Sequence, residues 1–182
     1  MKISILIPCH NEEKSIRKCV ESCLNQTRTA DQILVVNDGS TNRSGEILAS
    51  FGSKIEVLTV PVATGNKSYA QQLGLTRIDG DVFIATDGDT VLDSDFVKRV
   101  AENFKDDKLT AVSGYVRSIK YNWLTACREL DYVIGQNLHK LAQSYINFIL
   151  VIPGCAGAFR TRVFKEFITF DHDTLTEDMD FT

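Results

Sequence analysis

DVFIATDGDT, residues 81–90, carries a run of strand-forming apolar side chains directly into two aspartates separated by one glycine. Val82, Phe83, Ile84 and Ala85 do not alternate with polar residues, which is the pattern of a strand covered on both faces of a parallel sheet. Working outward, KISILIPC (2–9), QILVVN (32–37) and KIEVLTV (54–60) read the same way. Between the first two strands, Ile16, Cys19, Val20, Cys23 and Leu24 follow the spacing of an amphipathic helix, and Phe96, Val97, Val100, Ala101 and Phe104 repeat it after residue 87. Segments 43–51 and 67–76 supply two further crossover helices. Strand alternating with helix predicts an α/β fold, a Rossmann-like doubly wound and mostly parallel sheet with helices on both faces.

The second half changes style. TAVSGYVRSI (110–119) reads as another strand, Cys127, Leu130, Ile134, Leu138 and Leu141 mark a long helix, and PGCAGAFR (153–160) is a glycine-rich turn. No repeat, low-complexity tract or linker divides the chain, so residues 1–182 are expected to form one domain.

Composition narrows the function classes. A formal net charge of −4 and scattered basic residues give no footprint for nucleic acid. Five cysteines, an odd number without a C-x-x-C pair, predict reduced core thiols of a cytosolic protein. The longest apolar run, YINFILVI (145–152), falls far short of the roughly 20 residues of a membrane span, and the N-terminus lacks the pattern of a signal peptide. The expectation is a soluble, cytoplasmic piece.

Open α/β sheets bind ligands beyond the carboxyl ends of their strands. Three polar clusters fall there: HNEE (10–13), NDGST (37–41) and DGDT (87–90). Each also has a purely structural reading, since Asn11, Glu12 and Glu13 suit a first helical turn and Asp38 suits an Asx-turn. The third resists it. A turn needs one Asp, and a second carboxylate two residues on adds repulsion of about 1 kcal/mol or more. A hard cation, Mg²⁺ or Mn²⁺, removes the conflict by binding Asp87 and Asp89 together with phosphate oxygens, and Gly88 leaves room for a diphosphate. A fourth cluster, Thr176-Glu177-Asp178, reads as a helix cap or as a carboxylate able to act as a general base. His10 lies on the expected rim, His139 on a helix surface, and His172 in a loop; Tyr121 and Trp123 read as packing residues.

In this order, IPCHNEE, VVNDGST, the DGD motif, PGCAGAFR and TED resemble family 2 glycosyltransferases of GT-A fold. The similarity spans essentially the whole chain and is strongest to the processive synthases of poly-N-acetylglucosamine, hyaluronan and chitin. The resemblance implies that the loop Pro8, His10, Asn11, Glu12, together with Asp38, holds the uracil and ribose of a UDP-sugar. Lys67, in GNKSYAQQLGL, matches a looser motif in which Asn66-Lys67 replaces Gly-Lys and Gln72 replaces Asn. By the same resemblance, Asp87 and Gly88 lie at the ribose or diphosphate and Asp89 is the firmer ligand of Mg²⁺ or Mn²⁺. Gly154 and Glu177 border the sugar pocket and Asp178 is the base. The implied reaction is inverting transfer of a sugar, N-acetylglucosamine in this branch, from UDP to a saccharide acceptor.

It further implies a nucleotide-binding half over 1–105 and an acceptor half over 106–182. The family's Q-x-x-R-W segment and membrane helices do not occur in this sequence, so it reads as a fragment of a longer enzyme at the cytoplasmic face of the membrane. Two alternatives are a catalytically inactive nucleotide-sugar-binding module and a nucleotidyltransferase; the acidic HNEE loop argues against the basic phosphate loop of the latter.

Overall fold

The structure is a computed structural model that describes residues 1–119, 122–146 and 152–167. In chain order its elements are β1 (Ile3–Cys9), α1 (Ile16–Leu24), β2 (Gln32–Asp38), α2 (Ser44–Ala49), β3 (Glu56–Val60), α3 (Lys67–Leu75), β4 (Val82–Ala85) and α4 (Phe96–Asn103). There follow β5 (Ala111–Ser113), α5 (Trp123–Ile134), a π-helical stretch Gly135–Lys140, α6 (Leu141–Tyr145), β6 (Gly157–Arg160) and α7 (Thr161–Phe167).

Six strands form one sheet in the order β3-β2-β1-β4-β6-β5. β1 to β4 are mutually parallel where they pair, and β6 runs antiparallel to both β4 and β5. Side chains of β1 alternate between two apolar layers, which is why the strand reads as continuously apolar. Ile3, Ile5 and Ile7 pack with Cys19, Val20 and Cys23 of α1 and Val97 and Val100 of α4. Leu6 faces the opposite layer with Ala70 and Leu75 of α3 and Phe83, Phe159 and Phe164. Those three rings meet at centroid distances of 5.3, 5.0 and 5.1 Å, an aromatic cluster that ties β4, β6 and α7 together.

Four expectations change. β3 begins at Glu56 and is an edge strand with alternate residues exposed, so only one of its faces is covered. The segment 110–119 contributes only Ala111–Ser113 to the sheet. Beyond it the backbone bonds to side chains of the helix that follows: Ser118 N–H donates to Glu129 (2.6 Å), and Gln136 donates to the Val116 carbonyl (2.6 Å). The turn PGCAGAFR ends in a strand, β6, inserted between β4 and β5. Finally, the long helix is present, but its apolar stripe points away from the sheet. Cys127, Leu130, Ile134, Leu138 and Leu141 are all exposed, and Glu129 is the buried residue of α5. Among the described residues no helix is long and apolar enough to cross a membrane.

Candidate active site

β1 is the strand at which the winding reverses, with β2 on one side and β4 on the other. Such a switch point opens a crevice beyond the strand ends. A cleft of about 540 Å³ lies there, lined by Pro8, Cys9, His10 and Glu12 after β1, Asp38 at the end of β2, and Asp87, Gly88 and Asp89 after β4. Gly65, Asn66, Lys67 and Ala70 close it from the start of α3. Three polar clusters separated in sequence thereby share one cavity.

The rim is braced by hydrogen bonds. The His10 Nδ1–H donates to the Asp38 carbonyl at 2.6 Å, leaving Nε2 to accept from the Asn11 amide at 2.9 Å. Asn11 Oδ1 accepts from the backbone N–H of Thr41 (2.9 Å) and Asn42 (3.3 Å), so this side chain clamps the β1 loop to the β2 loop and does not line the cleft. Its φ of +56° is the one left-handed non-glycine backbone among the described residues, a strained state that an Asn tolerates and that the clamp holds in place. Asp38, nearly fully buried, accepts from the Thr64 N–H (2.9 Å) and hydroxyl (2.7 Å). Gly39 has φ +55°, and a Cβ there would lie 2.1 Å from the Ala63 nitrogen, so only glycine allows the β2 loop to dock on 62–64.

The DGD turn is held from behind and in front. The Cys19 thiol of α1 donates to the Asp87 carbonyl at 3.3 Å, and the Lys67 ammonium stands 2.9 Å from Asp87 Oδ1. Asp89, exposed, makes no hydrogen bond or ion pair among the described residues. The repulsion between the two aspartates is thus relieved on one side by Lys67, which the Asp-x-Asp pattern alone does not reveal. Gly88 has a second reason to be glycine: a Cβ would lie 3.2 Å from Glu12 Cγ and 3.4 Å from the Pro8 carbonyl. The room it creates is filled by the β1 loop.

Four carboxylates, those of Glu12, Asp38, Asp87 and Asp89, line the cleft against one lysine. Asp87 and the uncommitted Asp89 offer the oxygen donors that a hard divalent cation takes, although the described residues bring no three His, Cys, Asp or Glu side chains together at metal-binding distance. Burial pushes the Cys9 thiol on the cleft wall up to about 11. The Cys19 thiol is raised as well, by its hydrogen bond with Cys23 and by burial.

Gly154 is buried in the turn after 152 and lies outside this cleft; its neighbours Pro153 and Cys155 border a separate cavity of about 400 Å³ with Gln136, His139 and Lys140. Glu177, Asp178, Tyr121 and His172 lie outside the described residues. Sequence reasoning passed over Thr64, which carries no motif, and Cys19, which reads only as a core residue.

A sheet of this order with a carboxylate-rich cleft at its switch point is the GT-A glycosyltransferase fold, and solved structures match it. Staphylococcus aureus TarS 1–349 in complex with UDP-GlcNAc superposes with a TM-score of 0.79 at 20% identity, over 98% of this chain and 51% of that one. A mannosyltransferase from Pyrobaculum calidifontis in complex with GDP-Man and Mn²⁺ gives 0.77 at 18%, over 98% and 50%. The family model of glycosyl transferase family 2 matches residues 4–167, and the chain belongs to that family. It is 28% identical over 181 residues to an N-acetylglucosaminyltransferase of Azorhizobium caulinodans, covering 95% of this chain and 46% of the relative. It is also 28% identical over 180 residues to a poly-β-1,6-N-acetyl-D-glucosamine synthase of Staphylococcus epidermidis, covering 97% and 44%. The chain therefore spans a little under half the length of these curated relatives.

Proposed function

We propose that this chain is the donor-binding part of an inverting, metal-dependent glycosyltransferase that uses UDP-N-acetylglucosamine to extend a saccharide. The carrying observation is electrostatic. A cleft with four carboxylates and one lysine repels a nucleoside diphosphate unless a cation enters with it, and the lysine already pairs with one of the four. Asp89, with Asp87 beside it, would hold Mg²⁺ or Mn²⁺. When bound, the cation supplies positive charge against the departing diphosphate. Lys67 and the amino end of α3 face the same space, a favourable place for phosphate oxygens. The β1 loop from Pro8 to Glu12, with Asn11 as its brace, and Asp38 would frame the nucleoside. UDP-GlcNAc and Mn²⁺ in structures of like fold, and N-acetylglucosamine in the names of both relatives, support the choice of donor.

In the reaction, an acceptor hydroxyl oxygen attacks the anomeric carbon while the bond from that carbon to the diphosphate breaks. UDP leaves with the bonding electrons, the hydroxyl proton passes to Asp178, and the anomeric configuration inverts. Residues 1–105 form the nucleotide half in this reading, and 106–182, with Glu177 at the sugar and the buried Gly154 shaping the turn before β6, the acceptor half. Asp178→Asn tests the base. Transfer from UDP-GlcNAc to a chitooligosaccharide is expected to fall by about 10²-fold or more, with UDP affinity unchanged; transfer at the unmodified rate removes Asp178 from the mechanism.

A further inference from the structure

We infer that the outward face of the helix from Trp123 to Tyr145 is the contact surface for a second copy of this chain. Trp123, Cys127, Leu130, Ile134, Leu138, Leu141 and Tyr145 are spaced 4, 3, 4, 4, 3 and 4 residues apart, a nearly heptad stripe of the kind that pairs with another helix.

The polarity of this helix is inverted relative to an ordinary surface helix. Its polar residues Glu129 and Gln136 turn toward the domain, where they bond Arg117, Ser118 and the Val116 backbone. Its apolar residues turn outward: Trp123 is 77% exposed, Leu138 64% and Tyr145 81%. Trp123 and Tyr145, aromatic side chains of roughly 150–250 Å² that stand mostly in the open, and the smaller, about half-exposed Leu130, Ile134, Leu138 and Leu141 together give a stripe on the order of 800 Å². That exceeds the largest apolar patch of a typical monomer, roughly 300–600 Å², and matches the roughly 800 Å² that each partner contributes to a standard interface. Arg128 and Asp131 are the exposed guanidinium and carboxylate of α5, so little charge opposes a dry helix-to-helix seam. The cleft residues stand on other elements, so pairing through this face leaves the donor site open.

Analytical ultracentrifugation of the 182-residue chain between about 1 and 100 μM tests the inference, since a standard interface supports dissociation constants in and below that range. A reversible monomer–dimer equilibrium is expected. The double variant Leu130→Glu, Leu138→Glu is expected to be monomeric throughout, with far-UV circular dichroism and UDP affinity unchanged because both side chains are exposed in the single chain, and with the concentration dependence of the thermal midpoint lost. A strictly monomeric wild type overturns the inference, as does a dimer that survives both substitutions or a ladder of aggregates with no discrete dimer. Sedimentation with neutral phosphatidylcholine vesicles by a chain that stays monomeric also overturns it, assigning the face to a lipid surface.

Discussion

Lys67 and Asp87 stand 2.9 Å apart across the mouth of the cleft, both about one-third exposed. This contact sets the charge that any ligand meets. Replacing the lysine with an uncharged side chain of similar length separates its two effects. In Lys67→Met, Asp87 loses its cation, so the affinity for Mn²⁺ alone is expected to rise, while UDP loses an attractive charge and binds about tenfold more weakly, equivalent to about 1.4 kcal/mol. Calorimetric titration of each ligand separately checks both signs. Cys9 offers a second residue-level test. Its folded pKa is raised from 9.0 to about 11, chiefly by burial. Below pH 9 the thiol is protonated in both folded and unfolded chains. Between pH 9 and 11 the unfolded chain releases the proton and the folded one keeps it, so stability falls as pH rises, by up to about 1.4 kcal/mol per unit for this thiol. Urea midpoints at pH 8 and 10 are expected to drop less in Cys9→Ala than in the unsubstituted chain; equal drops refute the assignment. The sequence displayed the two aspartates of the DGD motif plainly, because like charges two residues apart demand an explanation. It did not display the partner of Asp87 by the same logic, since a lysine 20 positions away becomes a neighbour only through the fold.

At the scale of single elements, α3 both opens toward the cleft and carries a defect. Gln71 is fully buried on its sheet-facing side, and neither its Nε2 nor its Oε1 has a hydrogen-bond partner among the described residues. A buried amide left unpaired costs about 1–3 kcal/mol. Gln71→Leu, close to it in volume and set beside Ala70 and Leu75 of the apolar layer, is therefore expected to stabilise the chain by about that amount in urea denaturation; destabilisation shows that the amide is bonded in the folded protein. Strands with both faces covered, β1, β2 and β4, and helices with one apolar face turned to the sheet, α1 and α4, were legible from pattern alone. The difficult elements were those whose backbone or side chains find unusual partners. Val116 to Ser118 look strand-like, yet bond to Glu129 and Gln136 instead of a neighbouring strand. The stripe on α5 has helical spacing, but spacing alone does not say which way the stripe faces. The β6 segment GAFR is too short, and too close to glycine-rich sequence, to distinguish from a turn.

For the molecule as a whole, the strand order gives the cleft its chemistry. Because β1 lies between β2 and β4, residues near positions 10, 38 and 87 reach one place, although about 28 and 49 residues of chain separate them. The position of this rim follows from the α/β alternation, so much of the site was readable before the fold was seen. Lys67 was reached only through the family resemblance and its pairing with Asp87 not at all, and Thr64 was missed, since the 61–66 loop carries no motif and meets the cleft only through the fold. The central claim is that carboxylates gathered in this way accept an anionic nucleotide only together with a divalent cation. Calorimetric titration of UDP into the chain, with Mn²⁺ and with Mn²⁺ removed by chelator, in unsubstituted protein and in Asp89→Asn, tests it most directly. The account predicts binding at least about tenfold tighter with Mn²⁺, a difference of about 1.4 kcal/mol, and loss of that gain in Asp89→Asn. Equal UDP affinity in all four titrations would contradict it.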